Sequence, residues 1–102
     1  MHLNCIIINY KPEKKMPLPS FAERLREIVS LNSISSEEPE LDQSNESVIR
    51  CLERWLRELG FDVTLIKVKE KPLKYDLLAR LGEGDGGLLL SGHTDTVPAD
   101  PA

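Results

Sequence analysis

Apolar residues recur at helical spacing in two stretches of this chain. Phe21, Leu25, Ile28 and Val29 form one stripe. It is preceded by Ser20-Phe21-Ala22-Glu23, which has the form of a capping box: the Ser20 oxygen can accept from an early helical N–H while Glu23 reaches back to the Ser20 amide. The second stripe, Val48, Ile49, Leu52, Trp55, Leu56 and Leu59, predicts a helix starting near Ser44-Asn45 and stopping at Gly60. Cys51 lies inside that pattern and reads as a small buried hydrophobe. Residues 31–43 between the stripes are polar, contain Pro39 and read as a loop.

After Gly60 the period changes. Residues 61–65 alternate as a strand, and Ile66 and Val68 then shift phase, which predicts a bulge or an edge twist there. Residues 75–81 read as a second strand and residues 88–91 as a third. Leu88-Leu89-Leu90 is apolar throughout, the pattern of a strand buried on both faces. The fold class is α/β, with two helices packed on a small mixed sheet. The first fifteen residues read as a bland extension or a start codon placed too early. A short strand over residues 5–9 is the competing reading, because Ile6, Ile7 and Ile8 favour strand.

Composition narrows the function classes. The chain has 102 residues, 40% of them hydrophobic and 29% charged, which fits one globular domain. Net charge is -4 and there is no basic stripe, which argues against nucleic acid and anionic membrane as partners. Lys67, Lys69, Lys71 and Lys74 cluster, but Glu70 interrupts them, and a solvated face is the expected reading. Cys5 and Cys51 are too few for a disulfide framework or a Cys-rich zinc site. No apolar run approaches the ~18 residues of a membrane span. The run from Cys5 to Ile8 is short and is followed by Lys11, Lys14 and Lys15, the reverse of secretory order. The expected location is cytoplasmic.

Gly82-Glu83-Gly84-Asp85-Gly86-Gly87 matches G-x-G-x-x-G in form, but a strand follows where that fingerprint needs a helix. Glu83 and Asp85 would also repel phosphate, so the run reads as a strand-to-strand turn. The informative segment is Leu88-Leu89-Leu90-Ser91-Gly92-His93-Thr94-Asp95-Thr96-Val97-Pro98. It delivers an imidazole and a carboxylate to the carboxyl end of a strand, where open α/β sheets place their sites. In extended backbone, positions i and i+2 point the same way, so His93 and Asp95 can converge. A carboxylate bonded to one ring nitrogen leaves the other free for a metal. Spacing alone leaves both a surface pair and a metal site open.

Ser91-Gly92-His93-Thr94-Asp95-Thr96-Val97-Pro98 closely resembles the first metal-ligand motif of the M20 metallopeptidase and deacylase family. Ser33-Ile34-Ser35, Leu41-Asp42-Gln43-Ser44-Asn45 and Gly86-Gly87-Leu88-Leu89-Leu90 resemble the deacetylase members, over residues 16–98. The resemblance implies a zinc-peptidase-like α/β catalytic domain of which residues 20–102 are the amino-terminal part, behind an extension over residues 1–19. It implies two zinc ions, with cobalt as an alternative, a small-molecule N-acyl amino acid as substrate, and a homodimer for the full-length enzyme. His93 is then a metal ligand and Asp95 the carboxylate that orients its ring. The remaining ligands and the glutamate base come later in family chains, and the Gly-His-x-Asp motif is shared by members with other substrates. The chain therefore reads as an enzyme fragment that does not catalyse alone, with a stand-alone α/β binding module as the competing class.

Overall fold

A computed structural model describes residues 4–9 and 19–99. The readings that concern His2, Lys11, Lys14, Lys15, residues 16–18 and residues 100–102 lie outside them. Six elements follow one another: β1 (Asn4–Asn9), α1 (Phe21–Val29), α2 (Glu46–Glu58), β2 (Asp62–Glu70), β3 (Leu73–Gly82) and β4 (Leu88–Gly92). The strands form one mixed sheet in the order β2-β3-β1-β4. Two helices with a small mixed sheet make the α/β class that the periodicities predict.

The core lies between α2 and the β2–β3 hairpin. Ile49 and Leu56 of α2 meet Val63, Leu77 and Ala79, with Ile6, Leu52, Phe61, Leu65 and Tyr75 packed around them. Burying such side chains stabilises a fold by about 1.5–3 kcal/mol each. Cys51 is buried, as its helical position predicts. In β2 and β3, Val63 pairs with Ala79 and Leu65 with Leu77. The register then slips between Lys67 and Lys69, where the apolar phase of the sequence changes. Past α2, Gly60 takes φ +90°, in the left-handed region that glycine enters without a Cβ penalty.

Of three further expectations, one is decided for its alternative, one is borne out and one changes. Part of the segment read as an extension, Asn4–Asn9, is a strand, parallel to β3 and antiparallel to β4. The β-branched run of Ile6, Ile7 and Ile8 is well suited to that position, and Ile6 faces Ala79 on one side and Leu90 on the other. The glycine run connects two strands, as expected, and β1 lies between those strands in the sheet. The element that follows it is β4, so it offers no helix N-terminus to a phosphate. Finally, β4 is exposed rather than buried: Leu88, Leu89 and Leu90 are 54%, 61% and 47% exposed. It is an edge strand, and no described helix covers it.

α1 forms where its capping box places it. Ser20 Oγ accepts from the Glu23 N–H at 3.2 Å, and Glu23 Oε2 accepts from the Ser20 N–H at 2.9 Å. Yet α1 buries no residue and adds none to the core cluster. An ion pair between Glu27 and Arg54 ties it to α2. The apolar stripe of α1 instead borders an open cavity of about 500 Å³, walled by Phe21, Leu25, Leu52, Trp55 and Leu90 among others.

Uncovered leucines on an unpaired strand edge favour association between chains. The chain should self-associate in sedimentation velocity, and Leu89→Lys on β4 should return it towards monomer by placing a charge on that edge. A wild-type chain that remains a clean monomer at all concentrations would contradict this reading.

Candidate functional site

The segment after β4 carries the two residues singled out by sequence. His93 is exposed and Asp95 is half-buried. His93 Nδ1 lies 3.1 Å from the Asp95 main-chain carbonyl and 3.2 Å from Asp95 Oδ1. The hydrogen bond is made with the carbonyl. Oδ1, although within reach, is a buried oxygen with no hydrogen-bond partner. The pair converges as its i, i+2 spacing predicts, but the main chain of Asp95, not its carboxylate, engages the ring nitrogen. A carbonyl can only accept, so this contact needs the proton on Nδ1, and in the neutral ring that leaves the lone pair on Nε2. Nε2 has no partner among the described residues.

That arrangement fits one metal-ligand position: an imidazole with one nitrogen engaged and the other open, beside a carboxylate oxygen without a hydrogen-bond partner. Among the described residues, no three His, Cys, Asp or Glu side chains come together as a metal-binding group. A catalytic zinc site uses three protein ligands, so the described residues supply part of one and no more.

The elements that hold this segment were not all evident from sequence. Ser33 donates its hydroxyl to the Thr94 carbonyl. The Thr96 N–H donates to the Ser33 carbonyl at 3.0 Å and the Ser35 N–H to the Thr96 carbonyl at 3.2 Å. Ile34 and Thr96 thereby form a parallel bridge. Asn4 of β1 adds a bond of 3.5 Å from its side-chain amide to Thr94 Oγ1, while its Oδ1 accepts the Leu77 N–H at 3.0 Å.

The stretch Leu41-Asp42-Gln43-Ser44-Asn45 laces the polar loop to β3. Asn45 does not cap α2 with its side chain. It exchanges two 2.8 Å bonds with the Tyr75 backbone instead. Ser44 donates to the Leu73 carbonyl at 2.5 Å and accepts the Glu46 N–H at 3.1 Å. Asp42 accepts from Lys74 Nζ at 2.5 Å and from Lys69 Nζ at 2.9 Å. Lys74 is only 3% exposed, which corrects its reading as part of a solvated face. Lys67 does fit that reading, paired with Glu70 at the surface. The hydrogen bond from Lys74, then that from Lys69, holds the Asp42 carboxyl well below the usual carboxylate range. Burial pushes the Cys51 thiol up, consistent with an inert core side chain.

Because the Asp42 value is lowered on folding, its stabilising contribution is complete above the unfolded-chain value of about 3.9 and is lost as pH falls towards the folded-state value. Urea unfolding across the acid range should show wild type losing more stability than Asp42→Asn as pH drops below about 4. Parallel acid profiles for the two chains would remove Asp42 from this role.

No family model matches the chain. Curated relatives do. The chain is 53% identical to acetylornithine deacetylase of Photorhabdus laumondii over 83 residues, 81% of its own length. It is 52% identical to the enzyme of that name from Vibrio campbellii over 85 residues, 83% of its length. It is also 52% identical to that from Klebsiella pneumoniae over 86 residues, 84% of its length. The match covers 22% of each of these proteins, so the chain spans about a fifth of the length of the relatives it matches. No described helix is long and apolar enough to cross a membrane. At about half identity over four fifths of its residues, the chain resembles the amino-terminal part of the acetylornithine deacetylases of the M20 family.

Proposed function

We propose that this chain contributes the first metal-ligand segment of a metal-dependent amide hydrolase. The reaction is N2-acetyl-L-ornithine plus water giving acetate and L-ornithine, a step in arginine biosynthesis. One observation carries the reading: His93 has its Nδ1–H engaged by the Asp95 carbonyl and its Nε2 open, within a chain half identical to deacetylases. His93 is the proposed ligand of a zinc ion, one of two, with cobalt as an alternative. A bound metal supplies Lewis-acid polarisation of the amide carbonyl. Asp95 holds the ring in one tautomer through its main chain, and its unpartnered Oδ1 adds negative charge beside the imidazole. The substrate is a small N-acyl amino acid, the compartment the cytoplasm, and the full-length enzyme a homodimer. Further ligands and the general base come from the rest of such an enzyme, so this chain alone binds zinc weakly and does not turn over.

The test replaces the matching segment of one of those deacetylases with this chain. The chimera should hydrolyse N2-acetyl-L-ornithine and lose activity to a chelator. His93→Ala should lower kcat/KM by at least about a thousandfold through loss of a ligand. Asp95→Asn should cost about 10–100-fold, the range seen when a group that supports a metal ligand is removed. A folded chimera with full activity in His93→Ala would refute the assignment. Separately, a competing chromophoric chelator should detect only weak zinc uptake by the 102-residue chain, and tight, stoichiometric uptake that depends on His93 would contradict the incomplete site.

A further inference from the structure

The segment bearing His93 has little packing of its own. His93, Thr96 and Val97 are exposed, and the strand ahead of it is an exposed edge. It is held instead by the strip of loop over residues 33–36. Ser33 bonds the Thr94 carbonyl through its hydroxyl and the Thr96 N–H through its carbonyl, and the Ser35 N–H bonds the Thr96 carbonyl. All three bonds fall on the two residues that flank Asp95, whose own carbonyl holds the His93 ring.

The strip is fixed from its other side as well. Gln43 Oε1 accepts the Ile34 N–H at 3.0 Å, and the Gln43 N–H donates to the Ile34 carbonyl at 2.8 Å. Asp42 Oδ1 accepts the Ser36 N–H at 3.1 Å and is tied to β3 by the buried Lys74, which also reaches Ser35 Oγ at 3.4 Å. A continuous series of bonds therefore runs from β3, through Asp42 and the strip, to both sides of Asp95.

We propose that Ser33 and the Asp42–Lys74 pair are positioning residues for His93. They keep residues 94–96 in the one conformation in which the Asp95 carbonyl can hold the Nδ1 proton and leave Nε2 open. The inference rests on the reading of His93 as a metal ligand. It goes further by assigning the state of that ligand to residues in a loop and on a strand that do not touch it. A tie that served the loop alone would slacken the loop when cut and leave the ring unchanged. A positioning tie changes the tautomer, because the ring nitrogen that carries the proton is chosen by the bond its partner accepts.

The ring can be read directly in the 102-residue chain without metal, by nitrogen chemical shifts of labelled histidine at a pH where the imidazole is neutral. Wild-type His93 should show a protonated Nδ1 and an unprotonated Nε2. In Ser33→Ala and in Asp42→Asn the two nitrogens should move towards the average of both tautomers. Exchange of the Thr96 amide should speed up by about tenfold while amides of the β2–β3 hairpin keep their protection. Ser33→Thr, which retains the hydroxyl, should restore the wild-type ring signature. If Asp42→Asn unfolds the hairpin, Ser33→Ala and its threonine rescue decide the matter alone. An unchanged His93 signature in a folded Ser33→Ala chain overturns the proposal. Zinc titration of the wild-type chain separates the two levels: a ring that ignores millimolar zinc overturns the ligand reading, and with it the purpose given to these ties.

Discussion

Lys74 lies at the start of β3 with almost none of its surface in water. An ammonium group in that position is tolerated only if a carboxylate and further hydrogen bonds replace its hydration. Asp42 provides the charge, from a loop that has no regular structure to hold it there. The requirement works in both directions. Lys74 needs Asp42, and meeting that need fixes the loop around Asp42 against the sheet. Removing one member of such a pair generally costs about 3–5 kcal/mol, because the other is left charged and buried. The loop so fixed is the one that reaches residues 94 and 96, so in the proposed arrangement the presentation of His93 depends on an ion pair between that loop and β3.

α1 and β4 are packed less closely. α1 lies beside the sheet without entering the core, and β4 exposes three leucines in succession. The apolar surfaces of both border one cavity, with His93 and Thr94 at its edge. The molecule thus has a well-packed half, α2 on the β2–β3 hairpin, and a half whose apolar side chains remain uncovered by the described residues. Curated relatives are several times longer than the matched stretch. The candidate site sits on the less covered half, at the carboxyl end of β4.

Much of this was legible from residue order. The capping box at Ser20 and Glu23 forms, because its two bonds are local and need nothing else from the fold. The stripe of α2 finds its core, and the bulge falls where Ile66 and Val68 change phase. His93 and Asp95 converge because a two-residue spacing in extended chain makes them do so. What was not legible involves partners distant in sequence. Asp42 and Lys74 are separated by more than thirty positions, and nothing in a run of alternating lysines marks one of them as buried. The place of β1 between β3 and β4 is equally non-local, and it makes the glycine run a connection past a third strand. For Leu88-Leu89-Leu90 the pattern asked for burial, and the described chain supplies no layer to provide it.

The strip over residues 33–36 bonds both sides of Asp95 and, in the proposed arrangement, so presents His93. Scalar couplings transmitted through hydrogen bonds test this most directly. The account predicts a coupling between the Thr96 amide and the Ser33 carbonyl, and another between the Ser35 amide and the Thr96 carbonyl. Absence of both, in a sample where couplings across the β2–β3 hairpin are present, would contradict it.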